Sequence, residues 1–301
     1  MQREHPVLVI YGPTASGKSA LAMRVAACRP AVIINADAMQ CYDGLRILTA
    51  RPSEAEEAQY AHALYGVWQP HQHGNVAQWI GAVVPIIRQC WAEGKLPVLV
   101  GGTGMYLKSL MEGLSDVPAI DDAVRTGLNA MTAAERYAAL QRDDAVMAAR
   151  LKPGDTQRIF RALEVMRATG QSLSVWQARG ATPVLPEAQF YPVVVDVPRA
   201  QLYAQIDARF LTMLDMGALD EARNFINAHG SGTTPIFKAH GLPEFGAYFK
   251  GDMALEDAIA KGQQNTRNYA KRQMTWARGQ LPHAVMLAPD IPAETLLSQM
   301  S

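Results

Sequence analysis

The stretch "GPTASGKS", residues 12–19, follows the apolar run "PVLVIY", residues 6–11, and decides how the rest of the chain is interpreted. It matches the pattern G-x-x-x-x-G-K-[ST], in which the glycines turn the backbone so that successive N–H groups point inward at an anion. A strand before the loop and a helix after it are the context that this motif needs. The stretch therefore predicts a phosphate-binding loop at the start of an α/β sheet.

Strand-like and helical patterns alternate beyond this loop. The run "AVIIN" (31–35) predicts a second strand, residues 75–93 a helix, and "LPVLV" (96–100) a third strand. A further short strand is expected within "HAVML" (283–287). Such alternation is typical of a parallel sheet whose strands are joined by crossover helices.

A helical segment interrupts this alternation. From about residue 117 to residue 178 the patterns are helical only, and "YPVVVDV" (191–197) restores a strand. We therefore expect an α/β fold, a P-loop-containing parallel sheet flanked by helices, with an inserted all-helical domain. The expected bounds are 1–116 and 186–301 for the catalytic core and 117–185 for the insertion.

Composition limits the classes of function. The 28 basic and 28 acidic residues cancel, so binding to nucleic acid must depend on local patches. No apolar run is long enough for a membrane span, and the first residues lack a secretory signal. We expect a soluble, cytoplasmic protein.

The cysteines and histidines do not predict a metal centre. Cys28, Cys41 and Cys90 share no ligand or redox spacing, which is typical of a reducing compartment. His71 and His73 are two residues apart but lack a third ligand at a suitable spacing. A zinc site is therefore not expected.

Acidic residues at strand ends suggest two chemistries. Asp37 follows the second strand, where open α/β sheets place their ligands, and is interpreted as a base, an indirect magnesium ligand or a helix N-cap. Asp196 closes the strand "VVVD" and leaves open a kinase or NTPase. The strand "LPVLV" ends instead in "GGTG", residues 101–104, without a carboxylate.

Two basic features have functional interpretations beside ordinary ones. In a helix over 199–216, Arg209 falls on an apolar face, where it either meets an anion or extends to solvent. That face is formed by Leu202, Ile206, Met213 and Met216. Arg267, Lys271 and Arg278 line one side of another helix, which is either a track for an RNA backbone or a solvated face.

A set of longer motifs carries a family resemblance. In order, the chain contains "GPTASGKS", "NADAMQCYDGL", "TARP", "VGGTGMYLKSL", "DTQRIFRALEV" with "TGQSL", and "TRNYAKRQMTW". Between about residues 6 and 278 the chain thus resembles the tRNA dimethylallyltransferases, also called tRNA isopentenyltransferases. The resemblance implies transfer of a dimethylallyl group from dimethylallyl diphosphate to the exocyclic N6 amine of the adenosine 3′ of the anticodon. The phosphate loop would then hold a leaving group.

The same resemblance implies roles for individual residues. Asp37 matches the base, Thr103 lies near the adenosine and the leaving group, and Arg209 matches an arginine that balances developing charge. Mg²⁺ is the implied cofactor, with Ser19 as its ligand from the protein. The implied diphosphate site comprises Gly12, Pro13, Thr14, Ala15, Ser16, Gly17, Lys18 and Ser19.

The implied partners are dimethylallyl diphosphate and the tRNA anticodon stem-loop, with no membrane and no obligatory protein partner, so that a monomer is favoured. The target base must leave its stack to react. The expected tRNA-binding residues are Asp37, Ala38, Met39, Gln40, Thr103, Arg125, Gln157, Arg158, Ile159, Phe160, Arg161, Arg267 and Lys271.

The chain departs from the family's usual pattern in three places. Ala38 stands where serine is usual, Leu48 replaces a glycine, and "GLPE" (241–244) replaces "GYKE".

Two other functions remain as alternatives: a P-loop kinase or NTPase that uses Asp196, and a nonenzymatic tRNA-binding protein.

Overall fold

The computed structural model describes residues 5–300 and divides the chain into two compact units. One unit is formed by residues up to Met111 and from Leu185 onward, and the other by Glu112–Val184. The strands are β1 Pro6–Tyr11, β2 Ala31–Asn35, β3 His62–Ala63, β4 Leu96–Gly101, β5 Leu114–Ser115, β6 Ala181–Thr182, β7 Gln189–Val195 and β8 Val285–Leu287.

The helices connect these strands and cover them. They are α1 Lys18–Cys28, α2 Glu54–Gln59, α3 Val76–Ala92, α4 Gly104–Glu112, α5 Asp122–Asn129, α6 Ala133–Asp143, α7 Ala145–Arg150, α8 Thr156–Thr169, α9 Leu173–Ala178, α10 Arg199–Asp215, α11 Ala218–His229, α12 Leu242–Phe249, α13 Leu255–Gln280 and α14 Ala293–Ser298, with a 3-10 turn at Pro235–Lys238. Within residues 5–300, none of these helices combines the length and the apolar character that crossing a bilayer requires.

The larger unit is built on a six-stranded sheet in the order β3-β2-β4-β1-β7-β8. Every neighbouring pair in this sheet is parallel. Both faces of the sheet are covered, which is why the successive residues Leu8 and Val9 of β1, whose side chains point to opposite faces, are both fully buried. The parallel α/β fold predicted from the sequence is confirmed, and the carboxyl ends of its strands meet at one edge.

Two helix predictions and one strand prediction are confirmed. The side chain of Asn75 caps α3 in a capping box with Gln78, and the helix ends before Glu93. The last strand, β8, lies within "HAVML". The expected helix over 199–216 is α10, but its apolar face differs from the expected one because it runs through Leu202, Ile206 and Phe210, while Met216 is 62% exposed.

The smaller unit has its own apolar core. Helices α5 to α9 pack around a cluster that includes Leu128, Leu140, Met147, Ile159 and Leu163. The expectation of an all-helical insertion needs one correction, since β5 and β6 form an antiparallel pair. Each of these strands has two residues, which is too short for an alternating pattern to reveal. Because β5 belongs to this unit, the unit starts at Glu112 rather than at residue 117.

The "GGTG" segment at the end of β4 allows a close approach of three elements. A Cβ atom on Gly101 would lie 2.1 Å from the carbonyl oxygen of Ala36, which follows β2. A Cβ atom on Gly104 would lie 2.4 Å from the ring of Trp276 in α13. Glycine is therefore required where the ends of β2 and β4 meet, and where α13 packs on the turn.

We expect Gly101→Ala to destabilise the protein by about 1–3 kcal/mol, because the new methyl group must push the backbone of Ala36 away from β4. The measurement is urea unfolding followed by circular dichroism. Gly81→Ala is the matched control, since Gly81 lies within α3 and a Cβ atom there would meet nothing within 4 Å. The control should gain about 0.5–1 kcal/mol. Equal midpoints for Gly101→Ala and the native protein would contradict the close-approach argument.

Candidate active site

A pocket of about 810 Å³, including its open mouth, lies at the carboxyl edge of the sheet in the larger unit. One side is formed by the phosphate loop, the opposite side by the segment after β2, and the remaining walls by α10, α13 and the turn before α12. The lining residues are Thr14, Ala15, Lys18, Ser19, Asp37, Met39, Gln40, Leu48, Thr49, Ala50, Ile206, Arg209, Phe210, Met213, Ala239, His240, Thr266 and Tyr269.

The phosphate loop has the backbone that its sequence predicts. Gly17 has φ of 87° and Ala15 has φ of 63°, both in the left-handed region, and α1 begins at Lys18. The first N–H groups of a helix have no partner within it and attract anions. The Thr14 N–H instead donates to Oε1 of Gln273 (3.0 Å), so it is not available to an anion. Gly12, Pro13, Ser16 and Gly17 shape the loop without lining the pocket.

Two partly buried cations, Lys18 and Arg209, line the pocket. Burial lowers the pKa of Lys18 to about 8, with the charge of Asp37 acting against this shift and that of Arg209 reinforcing it. Burial likewise lowers the pKa of Arg209. Neither side chain has an ion-pair partner in the described part of the chain. Since uncompensated charge in a desolvated site is unfavourable, the pocket is suited to an anion.

Asp37 is held at the opposite side by Asn35, the last residue of β2. The Asp37 N–H donates to Oδ1 of Asn35 (2.8 Å), and Nδ2 of Asn35 donates to the carbonyl of Asp37 (3.0 Å). Oδ1 of Asp37 accepts the Met39 N–H (3.0 Å), whereas Oδ2 accepts no donor from residues 5–300. One carboxylate oxygen is thus available to a ligand in the pocket. Sequence analysis did not identify the role of Asn35, although a polar residue ending an apolar strand was a visible signal.

Thr103 lies behind Asp37 and is not among the described residues that line the pocket. Its hydroxyl accepts the Ala38 N–H (2.9 Å), and its own N–H donates to the carbonyl of Ala36 (3.2 Å). Because the backbone of Ala38 makes this contact, the serine hydroxyl that is usual at this position is not needed for it. Thr103 therefore contacts the backbone that carries Asp37.

Tyr269 and His240 complete the pocket beside Asp37, and neither was identified from the sequence. Burial raises the pKa of Tyr269, with the Asp37 charge adding to the shift, so its hydroxyl remains a proton donor. The ring centroids of His240 and Tyr269 are 5.2 Å apart. Burial lowers the pKa of His240, so its imidazole is neutral at neutral pH. Tyr269 and His240 are both distant in sequence from Asp37, so no local sequence pattern reveals that they lie beside it.

A turn carrying Leu48 closes the apolar part of the pocket. Nε2 of Gln40 donates to the carbonyls of Thr49 and Ala50 (2.9 Å each). The carboxylate of Glu221 accepts the backbone N–H of Leu48 (2.9 Å). The Leu48 side chain fits because its neighbour Gly241 has none: a Cβ atom there would lie 3.0 Å from Cδ2 of Leu48.

Other predicted residues lie outside this pocket. Arg267 forms an ion pair with Asp207 of α10 and donates to Oε1 of Gln264 (2.8 Å). Lys271 lines a separate groove together with Asp196. Asp196 is thus absent from the described lining of the phosphate-loop pocket, which argues against the kinase or NTPase alternative.

In the smaller unit, Arg125 and Arg161 share one carboxylate. The Glu164 side chain is 5% exposed. Its carboxylate accepts one hydrogen bond from Nε of Arg125 (2.5 Å) and another from Nη1 of Arg161 (2.6 Å). Both arginines remain half-exposed, so their guanidinium groups are fixed in position and still accessible. Sequence analysis did not identify Glu164, because its helical position reads as an ordinary charged residue.

The other residues predicted to bind tRNA in α8 divide into two groups. Gln157 and Arg158 are exposed. Ile159 is 1% exposed within the core of the unit, and Phe160 packs partly against it. The side chain of Ile159 is therefore a core residue, which corrects its assignment to an RNA-facing surface.

The histidines and acidic residues do not converge on a metal centre of their own. Within residues 5–300 no group of three His, Cys, Asp or Glu side chains could hold an ion. The ring of His71 packs instead near those of His229 (5.5 Å) and Phe237 (5.9 Å). Ser19, the last residue of the phosphate-loop motif, lies in the first turn of α1 and lines the pocket.

Comparisons with known proteins identify the family to which this chain is similar. The family model described as IPP transferase matches residues 40–280. The tRNA dimethylallyltransferase of Rhodospirillum centenum is 47% identical over 96% of this chain and 93% of its own length. That of Azorhizobium caulinodans is 45% identical over 96% of this chain and 94% of its own length.

Solved structures with lower sequence identity share the fold of this chain. The full-length tRNA isopentenylpyrophosphate transferase of Bacillus halodurans is 28% identical, with a TM-score of 0.70 over 99% of this chain and 94% of its own. A eukaryotic dimethylallyltransferase acting on tRNA shares the fold, with a TM-score of 0.83 at 23% identity over 97% of this chain and 77% of its own. Near-full-length identity well above a third, together with the matched motifs and pocket, leads to one conclusion: this chain belongs to the IPP transferase family of tRNA dimethylallyltransferases.

Proposed function

We propose that the protein transfers the dimethylallyl group of dimethylallyl diphosphate to the exocyclic N6 amine of the adenosine 3′ of the anticodon in tRNA, and releases diphosphate. One observation carries this proposal: a phosphate loop with two partly buried cations, Lys18 and Arg209, faces the carboxylate of Asp37 across one pocket. The acid that the kinase or NTPase alternative would use, Asp196, lines a different groove from the phosphate loop.

The reaction assigns each side of the pocket a task. The lone pair of the N6 amine attacks the first carbon of the prenyl group, whose bond to the diphosphate oxygen breaks, and the bonding electrons leave with the diphosphate. Asp37 takes the proton that the amine loses. Lys18, Arg209 and the N–H groups at the start of α1 stabilise the charge that develops on the leaving group.

The apolar part of the pocket suits the hydrocarbon end of the donor. Its wall includes Leu48, Ile206, Phe210 and Met213. Burying a five-carbon group against such side chains is favourable and excludes water from the reacting carbon. The pocket therefore accommodates a molecule with one strongly anionic end and one small apolar end.

Magnesium fits the donor set of this site. Mg²⁺ is commonly held by substrate phosphates and only one or two protein groups, and the Ser19 hydroxyl beside the loop is such a group. When bound, the ion supplies positive charge to the departing diphosphate. The small number of protein ligands is consistent with an ion that arrives with the donor.

We propose that the smaller unit contacts the anticodon stem-loop. Arg125, Arg158 and Arg161 offer accessible guanidinium groups, which bind phosphate oxygens in a bidentate manner. The adenosine must leave its stack for the N6 amine to approach Asp37. A tRNA substrate is consistent with activity in the cytoplasm.

A transfer assay tests the proposed function directly. The protein is incubated with Mg²⁺, labelled dimethylallyl diphosphate and an anticodon stem-loop that carries adenosine after the anticodon. Label should enter the RNA and diphosphate should be released without any ATP. ATP turnover without labelling of the RNA would favour the kinase or NTPase alternative, and RNA binding with neither activity would favour a nonenzymatic binding protein.

We expect Asp37→Asn to lower kcat by about 10²- to 10⁴-fold, because the amide cannot accept the proton of the attacking amine. The substitution keeps an oxygen for the Met39 N–H and preserves the local backbone. RNA affinity, measured by filter binding, should stay within about threefold of the native value, a spread of less than 1 kcal/mol. Near-native turnover would remove the assignment of Asp37 as base.

The affinity for dimethylallyl diphosphate should fall as the pH rises through about 8. In the free protein the pKa of Lys18 is lowered to about 8, and a bound anion raises it again, so binding takes up a proton at higher pH. At pH 9 the affinity should be about tenfold below that at pH 7, measured by calorimetry. Lys18→Met is the control and should bind weakly with little dependence on pH. A native profile that is flat from pH 7 to pH 9 would contradict the role of Lys18.

Arg158→Ala combined with Arg161→Ala should weaken binding of the anticodon stem-loop and reduce the slope of log Kd against log salt by about one to two, because phosphate contacts are lost. Arg125 remains to pair with Glu164, so the unit should stay folded. Arg150→Ala combined with Arg167→Ala removes the same charge from other exposed positions of this unit. Equal losses in the two double variants would indicate general electrostatics rather than a specific contact.

A further inference from the structure

Gln273 in α13 connects two loops of the active site through one buried side chain. Its Nε2 donates to the carbonyl of Gly102 (3.0 Å), and its Oε1 accepts the N–H of Thr14 (3.0 Å). The orientation of the amide is fixed, because a carbonyl can only accept and an N–H can only donate. The residue is 4% exposed and does not line the pocket.

The surroundings leave little freedom for this side chain. A Cβ atom on Gly102 would lie 1.9 Å from Nε2 of Gln273, so the contact requires glycine at that position. The hydroxyl of Tyr11, the last residue of β1, donates to the backbone carbonyl of Gln273 (3.0 Å). The helix is therefore tied to the strand that leads into the phosphate loop.

Each of the two hydrogen bonds of the amide reaches a segment that carries residues of the active site. Thr14 lines the pocket within the phosphate loop, which is the donor side. Gly102 precedes Thr103, whose hydroxyl accepts the Ala38 N–H, and Ala38 follows Asp37 on the acceptor side. The amide thus sets the distance between the loop that holds the diphosphate and the segment that carries the base.

We propose that Gln273 is a positioning residue that holds the phosphate loop and the Asp37 segment at the separation that transfer requires. This inference rests on the function proposed above. Gln273 acts through Thr14, through Gly102 next to Thr103, and through Tyr269, whose hydroxyl hydrogen-bonds the side chains of both Gln273 and Thr103. The side chain of Gln273 does not itself line the pocket. Because a misplacement of about 1 Å costs about 10²-fold in rate, its loss should lower kcat far more than it weakens donor binding.

Gln273→Glu gives a signature that packing alone would not give. A protonated carboxylic acid can donate to Gly102 and accept from Thr14 as the amide does, whereas a carboxylate cannot donate to a carbonyl. Burial raises the pKa of a carboxyl group at such a position, which brings its titration toward neutral pH. The kcat of this variant relative to the native protein should therefore be close to one at pH 5.5 and fall at least tenfold by pH 8.5.

The assay measures single-turnover transfer at saturating donor and stem-loop, with the native protein at every pH. Gln201→Glu is the matched control, because it adds the same charge at an exposed position of α10, and its ratio should stay flat. Gln273→Met has a similar length but no hydrogen bonds. It should be slow by about 10²-fold at every pH, with a donor Kd within about threefold of native and unchanged near-ultraviolet circular dichroism.

The outcomes separate this inference from the proposed function. A flat ratio for Gln273→Glu, or native kcat in a folded Gln273→Met, would overturn the positioning role while native transfer still supports the function. A parallel loss of donor binding and kcat in Gln273→Met would identify a general structural role and also overturn it. No transfer by the native protein would overturn the function and, with it, the inference.

Discussion

The site depends on two partly buried cations, Lys18 and Arg209, that line the same pocket. Their burial lowers the pKa of each and leaves charge that no described side chain neutralises, so the folded protein is under an electrostatic cost that an anion relieves. The apolar strands of the parallel sheet supply the stability that offsets this cost. Asp37, across the pocket, cannot neutralise the cations by contact and remains available for proton transfer.

Close backbone approach brings the two sides of the pocket together. Gly101 lets the turn after β4 meet the backbone of Ala36 directly, and Gly102 and Gly104 leave room for the side chains of Gln273 and Trp276 from α13. This packing places Gln273, Thr103 and Tyr269 behind or beside Asp37 in a region with few degrees of freedom. Preorganisation of this kind favours a reaction in which a weak nucleophile must be aligned with a departing anion.

Local patterns in the sequence were sufficient for the phosphate loop, the parallel sheet and helices such as α3, since each depends on neighbouring residues. They also identified Asp37 and Arg209. They could not identify Asn35, Glu164 or Gln273, because a buried polar residue shows its role only through partners distant in sequence, such as Thr14 for Gln273. The same limit explains why the sequence did not show that the side chain of Ile159 belongs to the core of the smaller unit. It also explains why the ion pair between Arg267 and Asp207 was not expected.

The shared carboxylate of Glu164 changes how the arginines of the smaller unit would meet a polyanion. A free arginine gives up roughly 2 kcal/mol of rotamer entropy when it is immobilised on a ligand. Arg125 and Arg161 have already lost much of that freedom by folding, because Glu164 contacts both guanidinium groups and Asp122 forms a second ion pair with Arg125. In the proposed contact with RNA, arginines held in this way would select for the spacing of the phosphates, whereas a flexible cluster of lysines would respond mainly to the number of phosphates.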